Sequence, residues 1–175
     1  MRNIQTAAAL ALAAALLPLP LMAEEFNIGK PVVKEAMQIV PNYLVGIQMD
    51  PMPRGMSMTP DAIHLEADVH ATKDNKHGYK EDDWIPYLTI TYTLEATAKG
   101  VKYKKTGELA PMIAADGVHY ANNVAAPPAG AYRLTYHIDP PSKKGFARHT
   151  DKATGVPEWW KPFDVSWDFD YPVKK

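Results

Sequence analysis

The chain has 175 residues, no Cys, 16 Pro and nearly balanced charge, with 19 Lys+Arg against 20 Asp+Glu. Without thiols it has neither disulfides nor thiolate ligands, which excludes thiol catalysis and most structural zinc sites. Its basic residues are scattered, so no nucleic-acid partner is expected.

The N-terminus has the three-part anatomy of a secretory signal. Arg2 gives a positive start, Ala7 to Leu19 is a short apolar run, and Leu21-Met22-Ala23 precedes the acidic pair Glu24-Glu25. This predicts a signal peptide over residues 1–23, cleaved after Ala23, and a single domain over 24–175.

From there the dominant pattern is alternation with a period of two, the mark of half-buried strands. Shorter candidates at Lys34 to Val40 and Tyr43 to Met49 come first. Ile63 to His70 follows, with apolar residues at odd positions and His or acid at even ones. Leu88 to Glu95 alternates apolar residues with Thr and Glu. Leu109 to Ala114 and Val118 to Val124 flank Asp116-Gly117, a hairpin-turn dipeptide. Tyr132 to Ile138 and Phe163 to Tyr171 complete the set. Many short strands punctuated by Pro predict an all-β chain, an antiparallel β-sandwich of two packed sheets. Gly130 two residues before Tyr132 has the form of a tyrosine corner, which makes the expected sandwich immunoglobulin-like. Asp139 to Pro157 has no periodicity and is long for a connection, a length associated with disorder or function.

Side chains on one strand face recur about every 6.6 to 7 Å, so His64 and Glu66 can close on one ion, whereas His64 and His70, about 20 Å apart, cannot. Taken alone, such a face is ordinary solvated surface. In the hairpin, a turn at Asp116-Gly117 predicts that Ala114 pairs with His119, which puts Met112 diagonal to His119 on the same face. His149, in the long loop, is a third candidate, while His137 and His77 carry no metal-site signal. Two imidazoles, a thioether and a carboxylate suit copper better than zinc or calcium, because soft sulfur favours Cu(I) and imidazole favours Cu(II). Met49, Met52, Met56 and Met58 add four Met in ten residues, able to hold Cu(I) or to act as unspecific apolar surface.

His64-Leu65-Glu66-Ala67-Asp68-Val69-His70-Ala71, PMIAADGVHYANNV from Pro111, and GFARHTDKATGVPEWW from Gly145 resemble the periplasmic proteins of high-affinity iron uptake in Gram-negative bacteria and spirochaetes. The resemblance runs through nearly all of the chain after Ala23. It implies a periplasmic homodimer with an immunoglobulin-like fold and a copper site, with iron or manganese accepted at the same or an adjacent site. By matching blocks, the metal ligands implied are Glu66, Met112, His119 and His149, with His64 beside them. The implied partner is an inner-membrane iron permease. Two other functions fit the same ligands: a periplasmic copper chaperone or buffer, and a copper-dependent enzyme that oxidises or reduces iron. Hydrolysis is not expected, because no nucleophile elbow or ordered triad is present.

Overall fold

The computed structural model describes residues 24–174, so the expected signal peptide lies outside the described residues. Nine strands run through them: β1 (Phe26–Asn27), β2 (Val32–Lys34), β3 (Met37–Val45), β4 (Ile63–Ala71), β5 (Thr89–Ala96), β6 (Lys104–Ala114), β7 (Gly117–Val124), β8 (Gly130–Asp139) and β9 (Phe163–Tyr171). The chain is all-β, and among the described residues the only helical piece is a 3-10 turn at Pro141–Lys144. No described helix is long and apolar enough to cross a membrane.

Every strand pairing is antiparallel, in the order β1-β3-β4-β7-β6-β5-β8-β9, with β2 also on β3. β6 belongs to two sheets: Leu109 pairs with Ile90 of β5, whereas the next residue, Ala110, pairs with Ala121 of β7. One core lies between them. Ile39, Leu65 and Val69 from one sheet and Ile90, Leu94, Leu134 and Ile138 from the other are all fully buried in it. Burying aliphatic side chains of this size stabilises by roughly 1.5–3 kcal/mol each, which is why the odd-numbered residues of β4 face inward. Tyr132 donates its hydroxyl hydrogen to the Pro128 carbonyl at 2.7 Å, the bond expected of a tyrosine corner.

The strands expected at Lys34 to Val40 and Tyr43 to Met49 are joined through Pro41 in one strand, β3, which takes up residues 37–45; Lys34 instead ends β2, and residues 46–49 lie beyond the strand. A proline inside a strand is tolerated where its missing N–H faces no partner strand. The outer edge of β3 is covered by two short strands, β2 opposite residues 37–39 and β1 opposite residues 42–43, and Pro41 lies in the interval between them. The long segment after Asp139 is ordered by its own bonds: the Asp151 carboxylate accepts from the Ala153 and Thr154 amides, both at 2.9 Å, and the Val156 amide donates to the His149 carbonyl at 3.1 Å.

His77 lies against Trp159 and Trp160, with ring centroids 5.1 and 5.3 Å away, and burial pushes its pKa below the usual imidazole value. In the unfolded chain a histidine takes up its proton near pH 6.5. The unfolded state therefore binds more protons there, and the metal-free protein should lose stability as the pH falls below about 6.5. His77→Phe should flatten that limb of a pH series of urea midpoints, and a slope equal to wild type would refute the assignment.

Candidate metal centre

The register of the first sheet places its outer face in three rows. Leu44, His64 and Asn123 lie side by side, then Asn42, Glu66, Ala121 and Ala110, and in the hairpin Met112 lies directly opposite His119. The expected hairpin register is two residues out. The two-residue turn is Ala115-Asp116, so Ala114 pairs with Gly117 and Met112 with His119. Gly117, at φ +141°, opens β7 instead of occupying the turn. Because a shift of two preserves facing, Met112 and His119 still share a face, and the correction brings them closer.

This polar face is not solvated where the rows cross. His64, Glu66 and His119 are only 2, 8 and 5% exposed. Glu66 Oε1 stands 3.3 Å from His64 Nε2 and 3.3 Å from His119 Nε2. One ligand atom from each residue lies within 4.8 Å of the others. The neighbour of Glu66 on β7 is only Ala121, whose methyl leaves room for the carboxylate. The Glu66 carbonyl accepts a 2.7 Å hydrogen bond from the Tyr136 hydroxyl of the opposite sheet, fixing the strand at this point.

Asn123 sets the protonation of His64. Its Nδ2 donates to the Ile47 carbonyl at 2.9 Å, and a carbonyl can only accept, so Oδ1 must face the other way. That oxygen lies 2.6 Å from His64 Nδ1 and requires a proton there. In the neutral ring Nε2 then carries the lone pair, on the side of Glu66 and His119. This is the arrangement by which an outer hydrogen bond orients a metal-ligating imidazole.

His119 Nε2 is buried and makes no hydrogen bond, its one charged neighbour being Glu66 Oε1 at 3.3 Å. An imidazole nitrogen shut away from water without a partner carries a desolvation cost of about 1–3 kcal/mol, which a cation would remove. Met112 lines the same cleft of about 230 Å³ as these three residues, joined there by Met49. Two nitrogens, a carboxylate and a thioether thus converge, a donor set that fits a transition metal.

A second cleft of about 280 Å³ shares Glu66 and His119 and is lined by Glu25, Asp68, His70 and Asp116. The Asn42 amide donates to both Glu25, at 2.7 Å, and Asp68, at 3.0 Å. Burial pushes both carboxyl groups above the usual range, and the neighbouring acid groups add to it: Asp68 and then Glu66 on Glu25, and Glu66 on Asp68. Packed carboxylates of this kind favour a cation.

Of the five residues expected to bind metal, His64, Glu66 and His119 come together, and Met112 shares their cleft. His149 does not join them within the chain: its side chain is 74% exposed and its Nδ1 is 2.8 Å from Thr154 Oγ1. His137 is held by Asp164 at 2.6 Å, and His70 Nδ1 donates to the Asp82 carbonyl at 2.8 Å. Sequence reasoning overlooked Asn123, Asn42 and Glu25. Asn123 was within reach, since it lies four residues after His119 and so on the same strand face.

A family model described as "Fe2+ transport protein" matches residues 22–172. The chain belongs to this family. It is 48% identical to FetP of uropathogenic Escherichia coli over 85% of this chain and 96% of that one, with a TM-score of 0.78. A copper-bound variant of FetP matches with 46% identity over 86% of this chain and 99% of that one, at a TM-score of 0.80. The copper-reconstituted P19 protein of Campylobacter jejuni is 41% identical, with 87% of this chain and 99% of that one covered and a TM-score of 0.79. Among curated sequences, the 34 kDa membrane antigen of Treponema pallidum is 32% identical, over 83% of this chain and 72% of its own length.

Nitrogen-15 NMR of the metal-free protein should show His64 as the single Nδ1–H tautomer and a tautomer mixture in Asn123→Ala. A single Nε2–H form in wild type would contradict the hydrogen-bond assignment.

Proposed function

We propose that this chain is a periplasmic copper- and iron-binding protein that supports iron uptake through an inner-membrane permease. The observation that carries the reading is the buried trio His64, Glu66 and His119, with an unpartnered nitrogen, in a chain of the Fe2+ transport protein family. Copper is favoured at this centre because the donors combine imidazole with the Met112 thioether, and related proteins of known structure are described as copper-bound. Copper bound there would supply a one-electron couple.

The residues of the chain do the rest. His64 is held in its tautomer by Asn123, and Met112 supplies the one soft donor. Glu66 faces both clefts, so its carboxylate can answer a cation in either. Hard Fe(II) or Mn(II) prefers oxygen, which favours the Glu25, Asp68 and Asp116 side of that carboxylate as the adjacent site for the cargo. His149, exposed and remote, completes the copper centre from a second copy of the chain in a homodimer.

The alternatives, a copper chaperone or a copper-dependent iron redox enzyme, use the same ligands. A copper buffer has no need of the acidic cleft, which favours the iron reading.

Growth and iron uptake of a deletion strain under iron limitation, with and without the permease, test the role: a defect requiring the permease is expected, and normal uptake would overturn it. Steady oxidation of Fe(II) by oxygen with catalytic amounts of copper-loaded protein would make it an enzyme. Met112→Leu should keep the fold and Cu(II) affinity but lose the Cu(I) held with nitrogen donors at this centre, and an unchanged nitrogen-ligated Cu(I) equivalent would contradict the thioether assignment. His119→Ala should weaken Cu(II) binding far more than His77→Ala in competition titrations. His149→Ala should weaken Cu(II) about 10- to 100-fold, and if it does not, the second-copy ligand is wrong.

A further inference from the structure

Six methionines lie among the described residues, and only Met37 belongs to the core cluster. The others gather on one side of the molecule, in the segment between β3 and β4 and at Met112. Met49, Met52 and Met58 line one cavity of about 380 Å³. Its remaining walls include Ile47, Ser57 and Asn123, and no carboxylate, imidazole or ammonium group is present. Met58 is 81% exposed, so its burial in a core does not account for it.

The segment carrying these thioethers has no regular secondary structure, yet both of its ends are fastened. The Gly46 amide donates to the Ala62 carbonyl at 3.1 Å and closes its base. Asn123 holds it from inside, through Nδ2 to the Ile47 carbonyl and through its own carbonyl, which accepts from the Ser57 amide at 2.7 Å. Asn123 is also the residue that orients His64. One side chain thus ties the methionine segment to a ligand of the metal centre. Met49 faces both sides: it lines the 380 Å³ cavity, and it lines the centre's cleft together with Met112.

We propose that Met49, Met52 and Met58 form a separate Cu(I) site, joined to the metal centre through Met49 and Met112. The chemistry of the walls selects the ion. Thioethers are neutral and soft, so they hold Cu(I) in preference to Cu(II), Fe(II) or zinc. They also have no proton to lose or gain, so this site keeps its affinity on acidification while imidazole ligands are lost to protonation. The site goes beyond the function proposed above, because it needs none of His64, Glu66 or His119.

The test is anaerobic titration of the metal-free protein with Cu(I) against a chromophoric Cu(I) chelator. Wild type should bind two equivalents, and Met52→Leu/Met58→Leu should bind one. His119→Ala should retain an equivalent whose affinity is unchanged between about pH 7 and pH 5 and whose X-ray absorption shows sulfur donors only. Leucine conserves volume, and circular dichroism verifies that the double variant is folded. A double variant that keeps the wild-type stoichiometry, a His119→Ala variant that binds no Cu(I), or nitrogen donors in the equivalent retained by His119→Ala would each overturn the proposal. Loss of binding at the histidine centre alone would leave the thioether equivalent in place, so the two readings fail separately.

Discussion

The Asn123 side chain is the constraint on which the rest of the site depends. It is a buried amide whose nitrogen is committed to a backbone carbonyl and whose oxygen is therefore committed to His64 Nδ1. Both bonds are made away from bulk water, where a lost partner costs more than on the surface. The consequence propagates: Nε2 is left with its lone pair, and Glu66 lies between it and His119 Nε2. Because the same residue accepts from Ser57, the conformation of the methionine segment and the tautomer of His64 are not independent.

The fold supplies this arrangement cheaply. Its core is made by the inward positions of β4, β7, β8 and the strands beside them, leaving the outward positions of β4 and β7 free to carry chemistry. Tyr136 spans the core to bond the Glu66 carbonyl, so packing and site meet at one residue. The sharing of β6 between two sheets serves the site as well. Its first half builds one sheet with β5, and its second half turns to put Met112 against His119.

Two clefts lined by donors of different hardness share one carboxylate, that of Glu66. On one side of Glu66 stand imidazoles and a thioether, and on the other carboxylates whose protons are held more tightly than usual by burial and mutual repulsion. A cation entering the acidic side relieves that repulsion.

The sequence by itself determined the strands with clear alternation, the tyrosine corner and the facing of His64, Glu66, Met112 and His119, because period two decides inside from outside before any tertiary contact forms. It also put Met112 and His119 on one face despite a turn displaced by two residues, since an even shift leaves facing intact. Only the tertiary structure decided that His64 and Glu66 on the polar face of β4 are buried, because the cover comes from the segment that leads into β4 folding back over it, from the hairpin and from Glu25, none of which an alternating pattern places. The continuity of β3 through Pro41 was hidden as well, because the proline is acceptable there only in view of the strands that flank β3. Likewise the role of Asn123 is invisible in an alternating pattern, since an amide has no direction until the Ile47 carbonyl orients it.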